Sequence, residues 1–173
     1  RAGGAAARRG ASRDQPRRRV GPGEPRKAQN CHSDFFAIRW EAWKPKAGSD
    51  AMGELLETIQ AYPPGQNKVD KGGFSIITAS ADYLYVQFES LKMGFIDDVE
   101  FAVTDGEVQV RSSSRLGFLD LGVNAKRLNW ISAELRAKGW TAPAITEEDY
   151  PEYFAKLFQT YDDYIRTVIS TLD

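Results

Sequence analysis

IDDVEFAVTDGEVQVRSSSR, residues 96–115, predicts a β-hairpin. The pair Asp105-Gly106 signals a two-residue type I′ turn between two alternating segments. Alternation gives one apolar face, made of Val99, Phe101, Val103, Val108 and Val110. It gives one polar face, made of Asp98, Glu100, Gln109, Arg111, Ser113 and Arg115. The short turn also predicts the register, because it places Glu100 opposite Arg111 and Asp98 diagonally between Arg111 and Arg115.

The segments around this hairpin predict an α+β fold. FSIITASADYLYVQFESL is typical of two strands around a tight turn, and SDAMGELLETIQAYPPG is typical of a short helix that Ser49 or Asp50 caps. AKRLNWISAELRAKG predicts a helix with Asn124 as its N-cap and Gly139 at its end. Residues 149–172 predict a long C-terminal amphipathic helix. We therefore expect a small antiparallel sheet of about four or five hairpin-connected strands, packed by two or three helices.

Charge is divided unevenly along the chain. The net charge is −1 over 173 residues, but residues 1–27 hold nine basic and two acidic residues, so this segment is +7 and the rest is −8. Residues 1–33 are interpreted as a basic extended arm, which is either transit-peptide-like, a docking segment or a solvated disordered tail. Residues 34–173 are predicted to form a single domain. An acidic body argues against a nucleic-acid partner.

Cysteine and histidine each occur once, as Cys31 and His32. This composition excludes an intrachain disulfide and a structural zinc site, and it argues against Ser-His-Asp and Cys-His catalysis. We expect no metal and no cofactor. No apolar run approaches the eighteen residues or so that a transmembrane helix needs.

The aromatic segment DFFAIRWEAWKP, residues 34–45, is predicted to be an edge strand or a segment that covers the body. Its aromatic side chains belong either to the core or to a surface for a partner or pigment. The predicted docking residues are therefore Phe35, Phe36, Trp40 and Trp43, together with Arg17, Arg18 and Arg19 of the arm.

Basic residues gather where the hairpin leads into the next helix. The candidates for an anion site at this corner are Arg111, Arg115, Asn124, Lys126 and Arg127. The alternative interpretation, which we favour, is structural: four acids neutralise the four cations, namely Asp97, Asp98, Glu100 and Asp120. An enzyme that uses Asp97, Asp98 or Asp120 as a general acid or base is a third interpretation.

GFIDDVEF followed by VQVRSSSRLGFLDLGVNAKRLNWI resembles the signature of the domain-of-unknown-function 1499 family. The matching positions are Phe95, Asp97, Asp98, Val99, Phe101, Arg111, Ser112, Ser114, Arg115, Gly117, Asp120, Gly122, Asn124 and Arg127. The resemblance is expected to cover residues 50–138, with the C-terminal helix as an addition. It implies a small α+β domain with an antiparallel sheet, but no activity, because the family has no assigned role. Its members occur in bacteria and in plastid-bearing organisms.

We therefore expect a non-catalytic accessory or assembly subunit that is peripheral to an organellar membrane complex. A photosynthetic complex, either a photosystem or an antenna, is the leading candidate, and the expected location is the thylakoid of the plastid. Another organelle or the cytoplasm is the alternative location. Its partners would be subunits of that complex, with pigments or lipids reached through it. The alternative function is a binding module for an anionic small molecule or lipid headgroup between Arg111 and Asn124.

Overall fold

The computed structural model describes residues 38–92, 94–115 and 122–170. Its elements, in chain order, are β1 (Ile38–Trp43), α1 (Ala51–Gln60), a 3₁₀ turn (Gln66–Lys68), β2 (Gly73–Ala79), β3 (Tyr83–Glu89), β4 (Ile96–Thr104), β5 (Glu107–Ser114), α2 (Val123–Ala137) and α3 (Pro151–Ser170). The predicted α+β class is confirmed. The division into an arm and one domain stays a prediction, because residues 1–33 lie outside the described residues.

The five strands form one antiparallel sheet in the order β1-β5-β4-β3-β2. The hairpin between β4 and β5 turns at Asp105 and Gly106, whose φ angles of 53° and 78° are those that a type I′ turn requires. Glu100 pairs with Arg111 across the two strands. The predicted turn and register are therefore confirmed.

The core lies between one face of the sheet and the helices. The alternating apolar residues of the three central strands are buried there, namely Leu84, Val86, Phe88, Val99, Phe101, Val108 and Val110. The helices contribute Leu55 and Ile59 from α1 and Leu128, Ile131 and Leu135 from α2, all of them fully buried. Burying each large apolar side chain contributes about 1.5–3 kcal/mol, so this layer attaches the helices to the sheet.

The helix ends follow from local sequence. Asp50 caps α1, since its Oδ1 accepts a hydrogen bond from the Gly53 backbone N–H at 3.0 Å. After α2, Gly139 adopts a φ of 94°, which allows Trp140 N to donate to the carbonyl oxygen of Leu135. Both predicted boundaries are confirmed.

Trp40 and Trp43 are core residues, and the prediction that they form a docking surface is wrong. Trp40 is 4% exposed and lies edge-on to the rings of Tyr150 and Tyr153, and Trp43 is 1% exposed and lies against Phe101. Residues three apart in a regular strand point to opposite faces. β1 has a register shift between the two tryptophans, with one more residue than β5 over this interval, and this bulge brings both to the core.

The helix α3 packs against the core mainly through its first turns. Tyr153 is buried and Phe154 and Leu157 are partly buried, whereas Phe158 and Tyr161 are 59% and 48% exposed. Among the residues that the structure describes, no helix combines the length and the apolar character needed to cross a bilayer.

Candidate functional site

Strand alternation divides the polar motif residues between the two faces of the sheet. Asp98, Glu100, Arg111 and Ser113 alternate with residues that point toward the helices. The first group joins side chains of β3 in what we call the outer network, namely Tyr83, Tyr85, Gln87, Asp98, Glu100, Arg111 and Arg115. On the helix side, Arg127, Asp70, Asp97 and Asn124 form what we call the Arg127 centre.

Glu100 is one of the two acidic residues of the outer network. Its Oε1 accepts from Arg111 Nη1 at 2.7 Å, and its Oε2 accepts from the Tyr83 hydroxyl at 2.5 Å. Glu100 is 4% exposed, so the charge of Arg111 and the phenol compensate for its removal from water. Burial raises the pKa of Tyr83, and the hydrogen bond to Glu100 raises it further.

Asp98 is the second acidic residue of the outer network. Its Oδ2 accepts from Arg115 Nε at 2.9 Å, and its Oδ1 accepts from Arg115 Nη2 at 3.0 Å and from the Tyr85 hydroxyl at 2.5 Å. Gln87 Nε2 donates to the same hydroxyl at 2.6 Å. Burial raises the pKa of Tyr85, and the hydrogen bond to Asp98 adds to this effect. The Arg115 fork thus binds the fully buried carboxylate bidentately, the geometry in which a guanidinium binds a carboxylate most strongly.

The Arg127 centre is buried between the sheet and α2. Arg127 is 0% exposed, and it donates to Asp70 at 2.8 and 2.5 Å, to Asp97 at 2.7 Å and to Asn124 Oδ1 at 2.7 Å. Its guanidinium carbon also lies 4.5 Å from the centre of the Phe88 ring. Burial alone would lower the pKa of Arg127, but the hydrogen bonds and charges of Asp70 and Asp97 outweigh it and raise that pKa.

Asp70 is the principal partner of Arg127 and was not identified from the sequence. It lies in the loop before β2, is 5% exposed, and also accepts from the Tyr62 hydroxyl at 2.6 Å. Gln66 Nε2 donates to that hydroxyl at 2.7 Å. Burial raises the pKa of Tyr62, and the charge of Asp70 raises it further. No sequence signal separates this aspartate from the solvated residues of its polar loop.

Asn124 is not the N-cap of α2, and this prediction is wrong. The helix begins at Val123 after Gly122, which adopts a φ of 70° at the cap position. Asn124 is 1% exposed within the first turn, where its Oδ1 accepts from Arg127 and from the Ser112 hydroxyl. Its Nδ2 lies 3.4 Å from Ser114 Oγ, to which it donates. The amide therefore orients the buried guanidinium and joins α2 to β5.

The five residues predicted to surround one anion do not meet at one place. Arg111 and Arg115 lie in the outer network, Arg127 and Asn124 lie on the opposite side of the sheet, and Lys126 is exposed on α2. The anion site composed of these five side chains is therefore wrong as a single site. Each of the three arginines instead contacts one of the acids proposed as structural partners, namely Glu100, Asp98 and Asp97. Asp120 lies outside the described residues.

The other predicted docking residues also fall outside the described residues, namely Phe35, Phe36, Arg17, Arg18 and Arg19. Within the described residues, no group of three or more His, Cys, Asp or Glu side chains is placed to hold a metal ion. Chemically, both carboxylate oxygens of Asp70 and of Asp98 accept hydrogen bonds from a guanidinium. The polar clusters thus connect β4 and β5 to β3 on one side and to α2 on the other.

Comparison with known proteins gives a family and no activity. The profile of the family described as "Protein of unknown function (DUF1499)" matches residues 24–135, which is more than half of the chain. The match begins earlier than the predicted residue 50, so it includes β1 and its two tryptophans, and it ends before α3. No curated protein and no solved structure matches the chain. The chain therefore belongs to the domain-of-unknown-function 1499 family.

Proposed function

We propose that the protein is a non-catalytic accessory or assembly subunit that docks peripherally on an organellar membrane complex. The observation that carries this proposal is the apolar face of α3. Phe158 and Tyr161 are about half exposed on a helix whose earlier residues Tyr153 and Leu157 pack on the body. Large apolar side chains that continue one helix face beyond the core favour contact with another molecule.

The polar clusters support a structural rather than a catalytic role for the family motif. Arg111, Arg115 and Arg127 each form an ion pair with a carboxylate that is at most 12% exposed. Structural ion-pair networks use the same charged residue types as active sites. Buried charged residues of this kind therefore often have a structural role rather than a catalytic one. α3 lies outside the family match, so the proposed docking element is a feature that this chain adds to the family core.

A photosynthetic complex in the plastid thylakoid is the partner that we propose first. Support comes from the family resemblance and from the transit-like composition of the +7 arm, which also suits an anionic protein or lipid surface. Another organelle or the cytoplasm is the alternative location.

The proposal is tested by native fractionation of membranes solubilised in mild detergent, with the full chain carrying a tag. We expect comigration with a large complex. The double variant Phe158→Ser/Tyr161→Ser should release the protein as a smaller species. The control Gln159→Ser/Arg166→Ser alters two exposed positions on another side of the same helix and should remain bound. Migration of the unaltered protein as a free monomer, or equal release of both variants, would contradict docking through this face.

A further inference from the structure

A cavity of about 330 Å³ opens at the end of the sheet where the helix α2 begins. The loop before β2 and the connection between β3 and β4 form its mouth, through Lys68, Lys71, Leu91, Lys92 and Phe95. Asp70, Asp97 and Ser114 lie deeper, next to the Arg127 centre. Small-molecule sites begin at roughly this volume, so the cavity has room for a compact polar group.

An unusual backbone places two of the lysines. Asn67, Lys68 and Asp70 have φ angles of 46°, 67° and 54°, so three non-glycine residues within four positions adopt the left-handed conformation. This conformation is unfavourable for residues that carry a side chain, so the surrounding structure has to hold it. Asp70 points inward to Arg127, while Lys68 and Lys71 are exposed at the mouth of the cavity. The buried ion pair therefore fixes a loop that presents two ammonium groups.

The charge around this cavity is positive. Lys68, Lys71, Lys92 and the underlying Arg127 stand against Asp70 and Asp97, which leaves a net charge of +2. Arg127 binds both carboxylates. Across the described ranges 38–92, 94–115 and 122–170, none of the three ammonium groups has a hydrogen-bond or ion-pair partner. The start of α2 at Val123 also lines the cavity and adds the positive end of a helix dipole.

Apolar side chains flank the same lysines. Leu91 is 65% exposed and Phe95 is 39% exposed, and both lie with Lys92 in the connection between β3 and β4. Such a combination of cationic and exposed apolar groups suits a ligand that has an anionic head and an apolar tail.

We propose that this cavity binds an amphiphile whose phosphate-bearing head has a net negative charge. Lys68, Lys71 and Lys92 hold the phosphate at the mouth, and Leu91 and Phe95 contact the apolar chain. The ligand is either a phospholipid within a membrane or a free molecule of the same chemistry. This site uses none of the exposed residues of α3, so it does not depend on the docking proposed above.

Vesicle co-sedimentation of the full chain tests the site. We compare vesicles of phosphatidylcholine alone with vesicles that also contain phosphatidylglycerol. A short-chain phosphatidylglycerol below its micellar concentration and glycerol phosphate serve as soluble probes, measured by calorimetry.

We expect binding to the phosphatidylglycerol vesicles and to the short-chain lipid, and much weaker binding of glycerol phosphate. Vesicle binding without short-chain binding would identify the membrane as the source, and the reverse would identify a free amphiphile. Both outcomes support the site. Binding of glycerol phosphate as strong as that of the short-chain lipid would contradict the proposal that the ligand is an amphiphile.

Two pairs of variants, each with a matched control, distinguish binding at the cavity from general electrostatic attraction of the protein to anionic lipid. Lys68→Gln/Lys71→Gln/Lys92→Gln should lower binding on the order of a hundredfold, since each lysine near an anionic surface contributes about fivefold. Lys44→Gln/Lys46→Gln/Lys138→Gln removes the same charge near the opposite end of α2, where Lys46 lies against Gly139, and should retain most of the binding. Leu91→Ser/Phe95→Ser should also weaken binding, whereas Ile77→Ser, at a residue 49% exposed on β2, should not.

Two results would overturn the site: equal losses for both lysine triples, or no binding to any of the probes. The α3 variant Phe158→Ser/Tyr161→Ser should bind the probes normally. This result keeps a failure of the cavity proposal distinct from a failure of the docking proposal.

Discussion

Arg127 in the first turns of α2 binds both carboxylate oxygens of Asp70, which lies 57 residues earlier in the chain. The same guanidinium reaches Asp97 of β4, so one side chain joins a loop, a strand and a helix. This connection explains why Asp97 and Arg127, two charged residues of the family motif, are buried between the sheet and α2.

Replacing Arg127 should be the most damaging change in the polar clusters. We expect Arg127→Gln to lower the free energy of unfolding by about 3–5 kcal/mol, because it leaves two buried carboxylates without their cation. Urea denaturation measures this loss. The neighbouring Lys126→Gln, at an exposed position, should change stability by less than about 0.5 kcal/mol. Similar midpoints for the two variants would contradict the structural role.

Asn124 should be sensitive to every substitution that removes its amide. We expect Asn124→Ala to cost about 1–3 kcal/mol, because Arg127 and Ser112 lose a buried hydrogen-bond partner. Serine is as good an N-cap as asparagine, so Asn124→Ser distinguishes the two roles. It should be destabilised almost as much as the alanine variant in thermal unfolding. Full stability of the serine variant would restore the capping interpretation.

Alkaline pH should weaken the fold through Tyr62. Burial and Asp70 raise the pKa of this phenol above its usual value of about 10, so the folded state favours the neutral form. The resulting stabilisation is complete below pH 10 or so and is lost as the pH rises toward the raised pKa. In urea titrations, the unaltered protein and Tyr62→Phe should differ in free energy of unfolding below pH 10 or so, and this difference should become smaller as the pH rises above that value. A constant difference would show that the phenol does not titrate differently in the two states.

Trp43 should behave as a core residue in any assay. We expect Trp43→Ala to lower the free energy of unfolding by about 3–5 kcal/mol, because it removes a large side chain that is 1% exposed. Phe158→Ala, at a residue 59% exposed, should leave the stability of the isolated protein almost unchanged. Calorimetric melting of both variants checks the contrast. A stable Trp43→Ala protein would contradict the inward orientation that the bulge in β1 produces.

The register of the hairpin was predictable because its turn is local. Asp105-Gly106 fixes which residues of β4 and β5 face each other, so the pair of Glu100 and Arg111 follows from the sequence. The connection between β3 and β4 spans residues 90–95 and has no such turn signal, so the tyrosines of the outer network could not be assigned to Glu100 and Asp98.

Two kinds of feature could not be predicted from the sequence: contacts between residues far apart in the chain, and the face of the sheet to which a side chain in an irregular strand points. Asp70 looks like any other residue of a polar loop until the fold brings it to Arg127. The extra residue in β1 reverses the alternation between Trp40 and Trp43, and no single residue announces a bulge of this kind. At α2, Gly122 occupies the cap position, so the side chain of Asn124 lies in the core instead of capping the helix.

The sequence distance between Arg127 and Asp70 has a consequence for folding kinetics. A hairpin that closes through two residues forms early at little cost in chain entropy, whereas a contact across 57 residues has to wait until most of the chain is ordered. We therefore expect the Arg127 centre to be unformed in the transition state. Arg127→Gln should then accelerate unfolding and leave the folding rate nearly unchanged, so that Arg127 acts mainly to lengthen the lifetime of the native protein.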